Sequence, residues 1–181
     1  MVIKSANPVW TGYIETTTPV NIVNVAVTRD GLLQVFLGTD PDDFRRKLAN
    51  RLGDEEAAQT RLVAEALEQI NRYLMGQRHA FDLPLDWSEM EAFQVAVLKA
   101  TAMIPYGQVR TYSEIAAQTG HPGAARAAGA ALARNPMALV LPCHRVIGRD
   151  GSLHGYNAPG GIKTKAWLLA LEGYYLPVVV S

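Results

Sequence analysis

The sequence predicts an α+β protein, a strand-and-helix N-terminal part followed by a helical C-terminal part. Three observations carry this. Apolar residues alternate at period two over residues 23–37, helical spacing takes over from residue 41, and Gly, Pro and capping residues punctuate the second half densely. The chain has 181 residues, 49% of them apolar, enough for one large domain or two small ones with a packed core. Its single cysteine excludes an intramolecular disulfide and cysteine-rich zinc clusters. No apolar run approaches the length of a membrane span, and MVIKSANPVW lacks the apolar core of a signal peptide, so a soluble protein of a reducing compartment is expected.

Val23, Val25 and Val27, the turn Arg29-Asp30-Gly31, and Leu33, Val35 and Leu37 predict an antiparallel hairpin. Asp40-Pro41 is an N-cap with proline at the first helical position. Phe44, Leu48 and Leu52 continue that helix, and Gly53 closes it. A longer helix presents Val63, Leu67, Ile70 and Leu74 and stops near Gly76. Residues 77–87 read as a linker, which divides the chain into 1–87 and 88–181. Ser88-x-x-Glu91 reads as a capping box opening a helix with Met90, Phe93, Val97 and Ala100 on one face.

Thr111-x-x-Glu114 is a second capping box, and its short helix stops at Gly120. His121-Pro122-Gly123 turns the chain into a helix over 124–134 that ends at Asn135-Pro136. Two short helices around a tight turn form a helix-turn-helix candidate, although most helical hairpins never touch DNA. The second helix, AARAAGAALAR, is built of Ala and Gly where a core helix would carry Leu or Ile. Either it packs closely on a neighbour with Arg126 solvated, or it lies close on a ligand surface with Arg126 reaching in. Ala138-Leu139-Val140-Leu141 predicts a buried strand leading to Pro142-Cys143-His144-Arg145-Val146. A glycine-rich loop over 155–161 and a helix over 162–172 follow, with Gly173 as its stop.

Net charge is zero, yet residues 1–103 carry ten Lys/Arg against fourteen Asp/Glu, and residues 104–181 carry seven against three. A −4 half and a +4 half suit a protein that meets a polyanion with one side; small domains also differ this much by chance. A lone cysteine is usually a small buried hydrophobe. Cys143 has a different setting, beside His144 and near Arg145, where a cation favours the reactive thiolate. Glu172 closes a helix whose macrodipole disfavours a carboxylate, so another partner is expected to hold it. Cys, His and Glu suggest a nucleophile, a base and an orienting group.

The run PCHRV, preceded by IPYGQVRTY and RNP and followed by GY and WLLALEG, resembles the O6-alkylguanine-DNA alkyltransferases. The likeness is strong from Phe93 to Gly173 and thinner over 1–87, where FDLPLDW matches the family's lead-in. The resemblance implies an RNase H-like N-terminal α/β domain and a helix-turn-helix, winged-helix-like domain carrying the active-site cysteine. It implies direct repair of O6-alkylguanine, chiefly O6-methylguanine, by one irreversible transfer to the protein's own cysteine after base flipping. Cys143 matches the alkyl acceptor, with His144 acting through a water and Glu172 completing the relay. Tyr112 matches the residue that bonds guanine N3, and Arg126 the finger that fills the vacated stack. Asn135 matches the brace between the helix-turn-helix and the active-site segment. Val146, Tyr156 and Asn157 match the wall that reads the base, and Ala127 and Gly129 the helix face laid in the minor groove. The implied partner is double-stranded DNA containing O6-alkylguanine, met by a monomer in the cytoplasm, or the nucleus of a eukaryote. No cofactor is implied, and with no cysteine in the N-terminal part no metal is expected. The loop 156–161 is about two residues longer than some family versions, which leaves open its contact to the O6 atom.

Two other classes compete. A helix-turn-helix regulator would carry a polar, base-reading second helix. A thiol hydrolase would turn over repeatedly, where a self-alkylating acceptor stops after one event. An alkyltransferase-like binder without chemistry would lack Cys143.

Overall fold

The computed structural model describes residues 8–51 and 57–175. Among these, three antiparallel strands form a meander: β1 (Trp10–Glu15), β2 (Ile22–Val27) and β3 (Leu32–Leu37), in the order β1-β2-β3. The hairpin expected over 23–37 is there, with Val25 opposite Val35 and a bulge at Ala26/Val27. The first strand was not foreseen, because Thr11, Gly12 and Tyr13 break the apolar alternation. β2 is buried on both faces. Val23, Val25 and Val27 join the main core, and Ala26 joins a smaller one with Val9, Leu33, Phe44 and Leu48.

Helix α1 (Pro41–Lys47) covers that smaller core through Phe44, and Asp40 caps it by accepting from the Asp42 and Asp43 amides. It ends at Leu48 and passes into a 3-10 turn, Ala49–Arg51, sooner than Gly53 predicted. Leu52 and Gly53 lie outside the described residues. Helix α2 (Ala57–Leu74) lays Val63, Ala66, Ile70, Tyr73 and Leu74 on the sheet's other face, and Gly76 follows with φ +70°.

Residues 77–87 are irregular, and the sheet edge holds them. Leu32 N–H donates to the Pro84 carbonyl (2.8 Å), the Asp86 amide to the Leu32 carbonyl (2.9 Å), and buried Thr28 Oγ1 to Asp86 Oδ2 (2.6 Å). This arrangement overturns the capping box at Ser88. The Ser88 amide is already taken by Asp86 Oδ1, and α3 (Ala92–Ala102) starts after Glu91, whose side chain makes no capping bond. Met90 therefore precedes the helix.

The second capping box is complete. Thr111 and Glu114 bond each other's backbone reciprocally at the start of α4 (Tyr112–Gln118). Helix α5 (Ala125–Ala133) follows and packs through Ala128, Ala131 and Leu132. A short parallel pair, β4 (Arg110–Thr111) with β5 (Val146–Ile147), sets the start of α4 beside the PCHRV segment. Residues 138–141 form a buried turn and not the expected strand. Asn135 closes it by accepting from Met137 N–H (3.0 Å) and donating to the Leu141 carbonyl (2.8 Å), and Leu139 takes φ +72°. An apolar run reports burial, and burial does not distinguish a strand from a tightly closed turn. Helix α6 (Ile162–Leu171) ends with Glu172 as its C-cap. Of the tail, residues 176–181 lie outside the described residues.

These elements make a mixed α/β fold with a small antiparallel sheet and, among the described residues, six α-helices. None of the described helices is long and apolar enough to cross a membrane.

Asp86 carries the join between sheet and helical part. Burial would raise its pKa, but the bonds from Ser88 and Thr28 outweigh it and hold the carboxyl below its ordinary range. Asp86→Ala orphans a buried hydroxyl and an amide and is expected to cost about 2 kcal/mol, read from the urea midpoint. An unchanged midpoint would show that the join is not stabilising.

Candidate active site

Cys143 opens a 3-10 turn, Cys143–Arg145, after Pro142, and faces a small chamber as a half-buried free thiol. Burial pushes the thiol up, opposed by a bond from the Asn135 side chain and the nearby Lys165 charge. Arg145, expected to favour the thiolate, does not face the sulfur. Its Nε donates to Glu172 Oε2 (2.8 Å), its Nη2 to Glu172 Oε1 (2.8 Å) and its Nη1 to the Ile104 carbonyl (2.7 Å). The cation that acts on the sulfur is Lys165.

Glu172 is buried and takes four residues at once. Besides Arg145, it accepts from His144 Nε2 (2.8 Å), Tyr73 Oη and the Gly107 amide (3.1 Å). Burial would raise the Glu172 pKa, but the bonds from His144, Arg145 and Tyr73 bring it down to about 2. Gly107 has φ +75°, and a Cβ there would lie 2.7 Å from the Glu172 carbonyl, so only glycine fits. His144 is fully buried. Its pKa is lowered by burial, against the pull of Glu172, which favours the neutral ring. With Nε2–H turned to Glu172, Nδ1 is left a buried lone pair with no partner among the described residues.

Tyr112 opens α4 and lines the same chamber. Burial and then the Cys143 charge raise its pKa. Lys165 Nζ reaches Tyr112 Oη (3.4 Å) and donates to the Val146 carbonyl (2.6 Å); burial lowers its pKa to about 8. Tyr156 is also in the chamber. Its hydroxyl is buried without a partner among the described residues, and burial followed by the Cys143 and Glu172 charges drives its pKa well up. Asn157 and Gly129 complete the wall, Gly129 beside the Tyr112 ring.

This inner chamber of about 50 Å³ lies beneath an outer vestibule of about 650 Å³. Tyr112, Gly129, Ala133, Gly155, Tyr156 and Asn157 line both; Cys143 and Lys165 belong to the inner one, Arg126 and His154 to the outer one. Exposed Ala127 lines neither. A third cavity, about 680 Å³ between β1, β2 and α1, contains none of these residues.

Comparisons with known proteins place the chain in a family. The family model described as "6-O-methylguanine DNA methyltransferase, DNA binding domain" matches residues 92–174. A methylated-DNA–protein-cysteine methyltransferase of Mycolicibacterium paratuberculosis is 50% identical over 121 residues, 67% of this chain and 72% of its own. The constitutive one of Bacillus subtilis is 39% identical over 163 residues, 88% of this chain and 94% of its own. The chain belongs to the methylated-DNA–protein-cysteine methyltransferase family.

Solved structures carry the likeness into the fold. The crystal structure of the Mycobacterium tuberculosis O6-methylguanine methyltransferase superposes with a TM-score of 0.72 at 37% identity, covering 93% of this chain and 96% of that one. The same organism's OGT in complex with DNA superposes with a TM-score of 0.73 at 37% identity, covering 90% and 92%. Three features of the site escaped the sequence reading: Tyr73, Lys165 and the acidic contact of Arg145. Tyr73 arrives from α2, and nothing in its local pattern separates it from a core aromatic. Lys165 had one available signal, since a lysine amid the buried positions of an apolar helix requires a partner.

Glu172→Gln leaves the buried Arg145 guanidinium without its carboxylate and is expected to cost about 3–5 kcal/mol. The Glu172 pKa lies below its unfolded value, so its contribution is complete above about pH 5 and lost as pH falls toward about 2. The gap between wild type and Glu172→Gln in denaturant midpoint should narrow over that window. A gap independent of pH would refute the ionised hub.

Proposed function

We propose that this protein repairs O6-alkylguanine in double-stranded DNA, chiefly O6-methylguanine, by moving the alkyl group irreversibly to Cys143. The observation that carries the reading is a thiol at the floor of a two-level cavity, with a neutral His144 bonded to the Glu172 carboxylate at its back. The cavity opens between the Ala/Gly-rich helix α5 and the loop 154–157. An alkylated oxygen inside a duplex is out of a thiol's reach, so the nucleotide must leave the stack, at a cost of a few kcal/mol.

The thiol proton passes to His144 Nδ1 through one water, and Glu172 holds the resulting imidazolium. The sulfur attacks the alkyl carbon in line as the carbon–oxygen bond breaks. Tyr112 donates toward N3 so that guanine leaves neutral, and Lys165 restores the proton to Tyr112. The raised thiol pKa suits this order: the thiolate forms when the relay is engaged and not in the resting protein. The product is a thioether, which no nearby group can hydrolyse, so each chain acts once. Every group comes from one chain, which a monomer satisfies.

Small residues on α5 let it approach the minor groove, with Ala127 and Gly129 on the DNA side and Arg126 entering the duplex. Asn135 ties the end of α5 to the turn that delivers Cys143. The Val146 carbonyl keeps a second lone pair for the base edge beside its bond to Lys165, and Tyr156 and Asn157 close the other side. We assign residues 1–87 to an RNase H-like unit that supplies Tyr73 and residues 88–181 to the DNA-binding and transfer unit.

Mass spectrometry after incubation with an O6-methylguanine duplex should show a gain of one methyl on the Cys143 peptide and none in Cys143→Ala. No gain on reduced wild-type protein, or any in the variant, would overturn the reading. Arg126→Ala should lower the ratio of second-order rates for duplex and free O6-benzylguanine by about two orders of magnitude, since only the duplex must be opened. An unchanged ratio, measured at one fixed salt concentration, would remove the finger.

A further inference from the structure

The two levels of the cavity separate what a flipped nucleotide presents to each. The reacting base must reach Cys143 in the inner chamber, so its sugar and phosphate remain in the vestibule. The polar side chains found only at the outer level are Arg126, on α5, and His154, on the facing loop. Arg126 is the stack-filling cation of the reading above. His154 has no part in that mechanism.

The loop holds His154 in place. Ser152 Oγ donates to Asp150 Oδ1 (2.6 Å) and lies 3.2 Å from His154 Nε2. The backbone closes the same turn, Gly148 N–H to the Ser152 carbonyl (2.8 Å) and Gly151 N–H to the Gly148 carbonyl (3.0 Å). Gly148 lies directly against the cluster: a Cβ there would overlap Ser152 Oγ and come within 2.9 Å of His154 Nε2. The imidazole ring is thereby set 5.6 Å from the Tyr112 ring, tilted by 59°, with its exposed edge at the mouth of the cavity.

We propose that His154 contacts the phosphate of the flipped nucleotide and so selects a nucleotide within a strand over a free base. The inference rests on the base-flipping reading above. With Ser152 Oγ donating to Asp150, Nε2–H is spent on Ser152 Oγ, so it is the imidazolium form that presents a free Nδ1–H. Held on a turn fixed by Asp150, Ser152 and Gly148, it costs little entropy on binding and matches an anionic oxygen at that level. It shares the vestibule with Arg126 and holds the extruded backbone there.

The test compares His154→Ala with wild type on three substrates at one salt concentration: an O6-methylguanine duplex, the same duplex with a neutral methylphosphonate beside the lesion, and free O6-benzylguanine. The expected result is a fall of about tenfold in the duplex-to-free-base rate ratio, the loss of one hydrogen bond to a charged group. The methylphosphonate, placed in turn on each side of the lesion, should slow wild type at one of the two positions and add nothing in His154→Ala. Ser152→Ala should show the same pattern, smaller. Equal loss on duplex and free base would make His154 a support for Tyr112 and overturn the proposal. So would additive losses at both positions, or an unchanged ratio. A wild-type protein that methylates on no duplex would overturn the repair reading itself, and this inference with it.

Discussion

One buried carboxylate organises the active part of the molecule. Glu172 caps the end of α6, where the helix dipole is unfavourable, and is stabilised there by donors from three other parts of the chain. Tyr73 comes from α2, Gly107 from the turn after α3, and His144 and Arg145 from the cysteine's own 3-10 turn. A lone buried charge would be intolerable. The Arg145 guanidinium neutralises it and reaches on to the Ile104 carbonyl. The paired charges leave His144 in a nearly neutral field where burial decides its state, so the ring rests uncharged with a lone pair free. Removing any donor would loosen more than one element, because the same oxygen atoms serve all of them.

The second constraint is where small residues stand. Helix α5 buries Ala128 and Ala131 against its neighbours and leaves Gly129 beside Tyr112. An added Cβ at Gly129 would make ordinary contact with the Tyr112 ring at 3.6 Å, so packing alone would accept alanine, which also favours helix. What glycine retains is open space along the wall shared by vestibule and chamber. Asn135 then converts the helix end into a position for the thiol, closing the turn over 137–141 and bonding toward the sulfur. The backbone there takes the uncommon φ of Leu139 because Asn135 and the surrounding core fix it.

Much of this was legible in the chain. Asp40-Pro41, Thr111-x-x-Glu114 and the glycine stops at Gly76 and Gly173 act over three or four residues, and each appears where it was read. The two-short-helix pattern and the Ala/Gly composition of α5 were also local. PCHRV with its flanks marked Cys143, His144 and Glu172 together. Local reading failed where a nearby polar side chain outside the recognised pattern took the bond. Asp86 claims the Ser88 amide that a capping box would use, and Asn135 folds an apolar run that resembled a strand.

By itself, then, the sequence determined the helices, the central hairpin, the family and the identity of the thiol, because caps, periodicity and a contiguous motif are properties of neighbouring residues. Only the tertiary structure decided which charge serves which group. It gave Arg145 to Glu172 and Lys165 to the neighbourhood of Cys143, brought Tyr73 from 71 residues away to His144, and set His154 at the cavity mouth. The reason is physical: hydrogen bonds and desolvation act through space at a few ångströms, and no pattern along the chain encodes that distance until the core has closed.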